Sequence, residues 1–177
     1  MLSRTALFST VVFNIAIGVF GEIPSIPDSC YHPHGKDCTW YTECLEKRHP
    51  CSKDNYAEKY AKYFCDKYGD SYSQFSQKGK EWIDGVRLCL QNSLVPMLHE
   101  NITCTDMKKE AFDAHVCCYL ATCDHTKQKL SICDVPFYDW LKAFWVTREA
   151  FEIFGQHSEV AKSVHMVLKI MRGCIFG

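Results

Sequence analysis

Apolar positions recur at steps of three and four along most of the chain, and no stretch keeps the alternation of a half-buried strand. The clearest register lies between Cys65 and Cys89. There Phe75, Gly79, Trp82, Ile83, Val86, Cys89 and Leu90 share one helical face, while Lys78, Lys80, Glu81, Asp84 and Arg87 take most of the other. The same period runs ahead of it, with Ala57, Tyr60, Ala61, Phe64, Cys65 and Tyr68 on one face of a helix that Ser52 or Asp54 can cap. Gly69 can end that helix in the left-handed conformation, leaving Asp70 or Ser71 to cap the next. A shorter helix in WYTECLEKRH closes near Pro50. Residues 105–120 are amphipathic, with Met107, Ala111, Phe112, His115, Cys118 and Tyr119 inward. Asp134 and Pro136 start an aromatic helix that Gly155 can end. The last helix, Ser158 to Met171, carries Val160, Ala161, Val164, Leu168 and Met171 on its inward face. The pattern predicts an all-α, disulfide-stapled domain of about five to six helices.

Two details refine the packing. Gly79 stands inside the apolar stripe, where it costs about 1 kcal/mol of helix propensity relative to alanine. That cost predicts a neighbouring helix backbone close by. Tyr56, Tyr60, Tyr63 and Tyr68 follow helical spacing, so they read as core and half-buried packing rather than as an aromatic binding strip.

Composition places the domain outside the cell. Arg4, the apolar run Ala6 to Phe20 and the small Gly21 form a secretory signal peptide over residues 1–21, with the mature chain starting at Glu22. The run is short for a membrane span. Residues 22–37, with Pro24, Pro27, Pro33 and Gly35, form an irregular N-terminal arm, and residues 38–177 a single cysteine-rich helical domain. All 12 cysteines fall beyond the signal peptide: Cys30, Cys38, Cys44, Cys51, Cys65, Cys89, Cys104, Cys117, Cys118, Cys123, Cys133 and Cys174. A dense, even count in an exported chain predicts a disulfide framework without free thiols. Cys117 and Cys118 are too close to bridge each other, at about 3.8 Å between α carbons. On a helix they diverge, so they must clamp two different neighbours. Without Arg4, 19 basic side chains face 21 acidic ones, and no basic stripe points to nucleic acid or to anionic membrane. Asn101-Ile102-Thr103, in a polar loop between helices, is an acceptor for an N-linked glycan on Asn101.

Candidate chemistry is sparse. Cys117-Cys118 followed by Asp124-His125 is the nearest approach to a secreted phospholipase A2 arrangement, which needs a histidine to activate water, an aspartate to orient it, and calcium on the phosphate. Here Cys123 intervenes, the order is Asp-His, and no glycine-rich calcium loop precedes. A cysteine nucleophile served by His115 or His165 needs a thiolate, which oxidised cysteines cannot supply. His32 and His34 offer a pair of metal ligands in the arm and nothing to complete a site. No EF-hand loop is present. The sequence therefore predicts no catalytic residue, cofactor or metal.

Read as a set, the cysteine spacings resemble the stanniocalcins, a family of secreted glycoprotein hormones. Cys65 and Cys89 enclose 23 residues, with Phe75 and Gly79-Lys80 in register and Glu81-Trp82-Ile83 behind them. Cys104 and Cys118-Tyr119 continue the frame, Cys38, Cys44 and Cys51 match an upstream cluster, and Cys174 stands near the family's final cysteine. The resemblance covers about residues 38–123. It departs in the longer upstream gaps, the added Cys117, the short step from Cys118 to Cys123 and the position of the glycosylation triplet. It implies a hormone-like extracellular factor, concerned with calcium and phosphate handling or with extracellular protease-type partners, that acts by surface recognition of a receptor or protein partner. It also implies a disulfide-linked homodimer, for which Cys174 is the candidate interchain cysteine and Cys30 the second that an even count requires. A secreted effector or toxin-like protein that binds a receptor or enzyme shares the same features and is the alternative.

Overall fold

The computed structural model describes residues 24–52, 56–124, 128–148 and 157–176, with side chains of the last segment from Val164 onward. The expected signal peptide and Glu22, together with Asp54, His125, Gly155 and the Val160 and Ala161 side chains, lie outside the described residues.

Among the described residues there are six helices and no strand. Helix α1, Tyr41–Glu46, is wound in wide π-type turns. Helix α2 starts in the same geometry over Ala57–Lys62 and runs on as a regular helix over Tyr63–Ser71. Helices α3, Gln77–Leu94, and α4, Cys104–Leu120, follow, and then α5, Phe137–Thr147, and α6, His157–Phe176. Gly69 does not end α2. It lies within the helix and is exposed, so the chain accepts the modest propensity cost there. The cap of α3 is accordingly Ser76, not Asp70 or Ser71: its hydroxyl accepts from Gly79 N at 3.2 Å. Pro96, which cannot donate into a helix, turns the end of α3 into the tight turn Val95–His99. Thr103 caps α4, accepting from Asp106 N at 3.1 Å. Ala121 closes α4 in the left-handed conformation, φ 55°, with Thr122 N donating to Cys117 O.

The inward faces of α2, α3 and α4 are those the periodicity marks. Ala57, Tyr60, Ala61, Phe64, Cys65 and Tyr68 are buried, as are Phe75, Trp82, Ile83, Val86 and Cys89, and Met107, Ala111, Phe112, His115 and Cys118. Tyr56, Tyr60 and Tyr68 belong to the core and Tyr63 packs half-buried against it. Helix α6 is different. It turns Met166 and Ile170 toward the core and leaves Val164, Leu168 and Met171 exposed, the reverse of the expected face.

Six disulfides tie the helices together: Cys30–Cys44, Cys38–Cys65, Cys51–Cys104, Cys89–Cys118, Cys117–Cys123 and Cys133–Cys174. Cys117 and Cys118 do clamp separate neighbours. The interchain role expected for Cys174 and Cys30 is corrected: each has a partner within its own chain, and no free cysteine is left for a covalent dimer. Helix α6 also continues past the expected end at Met171, through Gly173 and Cys174 to Phe176, and is pinned there by Cys133.

The arm is irregular but firmly seated. Gln91 of α3 is fully buried beneath it, accepting from Gly35 N at 2.9 Å and donating to Asp37 O at 2.7 Å. Gly35 has φ +75°, and a Cβ there would stand 2.7 Å from Leu88 N, a backbone atom that cannot yield. Gly35→Ala should therefore lower stability by roughly 2 kcal/mol or more. Gly69→Ala, in an exposed helical position with nothing within 4 Å, should raise it by about 0.5–1 kcal/mol. Denaturant unfolding with the disulfides intact measures both.

Candidate functional site

Every cysteine is bonded, and His115 is buried. Cys89, Cys118 and Cys123 gather their sulfurs in one buried cluster, Cys123 Sγ lying 3.4 Å from Cys89 Sγ and 3.6 Å from Cys118 Sγ. Three cysteines so placed would suit a thiophilic metal if reduced. Here every sulfur belongs to a disulfide, so none is a thiolate. Asp124 follows this cluster, and His125 lies outside the described residues. His32 and His34 are both exposed, on either side of a buried Pro33.

A second internal feature was not legible in the sequence. Tyr41, Tyr56, Tyr60, Tyr68, His115 and Arg87 surround a cavity of about 40 Å³ between α1, α2, α3 and α4. Burial raises the phenols of Tyr41, Tyr56, Tyr60 and Tyr68 above their ordinary range, so they stay protonated. Burial pushes His115 down to about 4, against a smaller opposing effect from its bond to Ala111 O. That carbonyl can only accept, so Nδ1 carries the proton and donates to it at 2.7 Å. A neutral imidazole among neutral phenols is a packed polar core rather than an acid–base pair. Arg87 donates from Nη2 to Lys36 O at 2.9 Å, while its Nε is buried with no hydrogen-bond partner among the described residues.

The outer surface carries the unusual chemistry. Helix α5 is apolar around most of its circumference. Trp140, Ala143 and Val146 pack inward, and Phe137, Tyr138, Leu141, Phe144 and Trp145 remain exposed. Beside it α6 exposes Val164, Leu168, Met171, Ile175 and Phe176. Among the described residues, Leu88 is the one large exposed apolar side chain that lies elsewhere. Between the two helices runs an apolar groove of about 60 Å³, floored by Tyr68, Tyr119 and Ile132 and walled by Phe144, Val167 and Ile170. Phe144 shares a stripe with Phe137 and Leu141, and Val167 with Val164 and Met171, so groove and rims form one surface. Exposed apolar patches of this concentration mark interaction sites.

The orientation of α5 is set by one residue. Asp139 is buried, accepting from Ser76 N at 3.1 Å and from the Ser76 hydroxyl, with Lys142 Nζ 3.8 Å away. It occupies the space over Gly79: a Cβ there would stand 2.5 Å from Asp139 Oδ2. The close neighbour that Gly79 foretold is thus a carboxylate, not a helix backbone.

Asn101 is exposed in the loop before α4, open to a glycan. Thr103 of the same triplet serves as the α4 cap, its hydroxyl donating to Asp106 Oδ2 at 2.6 Å, and Cys104 is bonded to Cys51. No protein-family model, curated protein or solved structure matches the chain.

His115 gives the core a pH dependence. Its folded value of about 4 lies below the unfolded 6.5, so between them the unfolded chain binds more protons and stability falls as pH falls. The loss should develop below about pH 6.5, level off near pH 4 and approach roughly 3 kcal/mol. His115→Phe should flatten that step in denaturant midpoints measured across the range.

Proposed function

We propose that this protein is a secreted, disulfide-stapled glycoprotein that works by surface recognition, as a hormone-like factor of stanniocalcin type. The observation that carries the reading is the concentration of exposed apolar side chains on α5 and α6. They are held on a cross-linked frame whose cysteines are all bonded. A rigid frame lets such a face meet a partner without paying heavily in conformational entropy. The apolar leader in residues 1–21, the disulfides and the acceptor Asn101 support an extracellular setting. The buried, neutral His115 and the bonded sulfurs favour binding over catalysis. In this reading the groove takes an apolar side chain of a receptor or other extracellular protein, and Asn101 carries a glycan.

The labelled protein should bind responsive cells saturably, be displaced by unlabelled protein and lose its sites when the cells are treated with protease. Phe144→Asp, placed in the groove wall, should weaken that binding by about tenfold or more while leaving the helical spectrum unchanged. Non-saturable uptake, or turnover of lipid or peptide substrates, would overturn the reading.

A further inference from the structure

The most exposed apolar residues are not spread over the α5–α6 face but gathered at one end of it. Phe137 and Tyr138 open α5, and Ile175 and Phe176 end α6. All four are 67–79% exposed, more than any other large apolar residue described. The Cys133–Cys174 disulfide, 5.3 Å between α carbons, ties the turn just before α5 to the last turn of α6, so these helix ends lie at the same end of the face. The result is a clasped apolar tip that projects outward instead of lining a pocket.

Behind the tip the surface is basic. Arg172 lies one turn back along α6 and Lys169 about two turns back, and with His165 they follow the stripe that ends at Phe176. Lys169 and Arg172 are exposed, and neither pairs with an acidic group among the described residues. Two carboxylates flank the start of α5, one exposed and one buried. Asp134 Oδ2 accepts from Ser131 N at 2.9 Å, and Asp139 is buried against Ser76. At 1.5 Å per residue, Arg172 and Lys169 stand roughly 5 and 10 Å behind the tip. That order, apolar end first and cations behind it, matches the layers of an anionic bilayer, where apolar side chains sink about 5–10 Å and headgroup phosphates lie above them.

We infer that the α5–α6 tip docks on a bilayer surface carrying anionic phospholipid. Phe137, Tyr138, Ile175 and Phe176 enter the headgroup–acyl boundary, and Arg172 and Lys169 meet the phosphates. The attachment is peripheral, since no described helix is long and apolar enough to cross a membrane. The near-neutral net charge of the whole chain does not describe this end of the molecule, where Arg172 and Lys169 stand exposed on α6. The inference goes beyond protein recognition, as it requires no protein partner.

Flotation of the full disulfide-bonded protein with vesicles tests it. One set is phosphatidylcholine alone and the other phosphatidylcholine mixed with phosphatidylserine. Wild type should float with the anionic vesicles, weakly or not with the neutral ones, and less at high salt. The double variant Ile175→Asp, Phe176→Asp should lose about tenfold or more in partitioning, and Arg172→Glu about tenfold. Both should keep the helical spectrum and show no free thiol. Absence of binding to the anionic vesicles, or equal binding by wild type and both variants, would overturn the inference. So would a wild-type dimer that ignores vesicles and that the double variant returns to monomer, because the tip would then be covered by a second copy. Vesicles contain no receptor, so failure here leaves protease-sensitive cell binding standing.

Discussion

A carboxylate buried at the start of a helix determines how this molecule presents itself. Asp139 reaches from α5 to the first turn of α3 and takes two donors from Ser76. An isolated buried charge is costly, by several kcal/mol after relaxation. Here the positive end of α3 and the ammonium of Lys142 offset that cost. The missing side chain at Gly79 supplies the room. Once Asp139 points inward, the rest of α5 has no rotational choice. Ala143 and Val146 follow it toward the core, and Phe137, Leu141, Phe144 and Trp145 are turned to solvent. The apolar outer face is thus a consequence of one polar contact on the inner face.

The disulfides make that face sustainable. Exposed apolar surface invites local opening and aggregation, and a domain without cross-links has to resist both through its core alone. Here Cys133–Cys174 holds the two presenting helices at one end, while Ile170 and the packing of Gly173 beneath Leu120 hold α6 along its length. Cys51–Cys104 closes the longest loop, at a separation of 53 residues, and so restricts the unfolded chain most. Cys89, Cys118 and Cys123 form a buried cluster that completes the interior where α3 meets the end of α4.

Helices α2, α3 and α4 were legible because each has one dominant apolar stripe, and burial follows the stripe. Helix α6 carries two, Met166–Ile170–Gly173 and Val164–Leu168–Met171–Ile175, and periodicity cannot tell which one faces the core. Helix α5 is apolar nearly all round, so its register depended on Asp139, a residue that period analysis counts as an exception. Gly69 read as a helix end because its conformational freedom is visible in sequence, whereas the absence of anything needing a turn there is not. Cysteine pairing is a matter of three-dimensional proximity. Cys174 looked available at the end of the chain, yet Cys133 waits beside it. The burial of His115 could be read from helical spacing, but the phenol-lined cavity around it is assembled by residues from four helices.

The seating of α5 by Asp139 is the claim on which the presented face depends, and a double-mutant cycle with Gly79 tests it most directly. In the wild-type background Gly79→Ala should destabilise the folded protein by about 1–3 kcal/mol, because the new methyl group displaces the carboxylate. In the Asp139→Ala background the same substitution should stabilise it by up to about 1 kcal/mol, the ordinary helical preference for alanine. Stabilisation by Gly79→Ala in the wild-type protein would contradict the account.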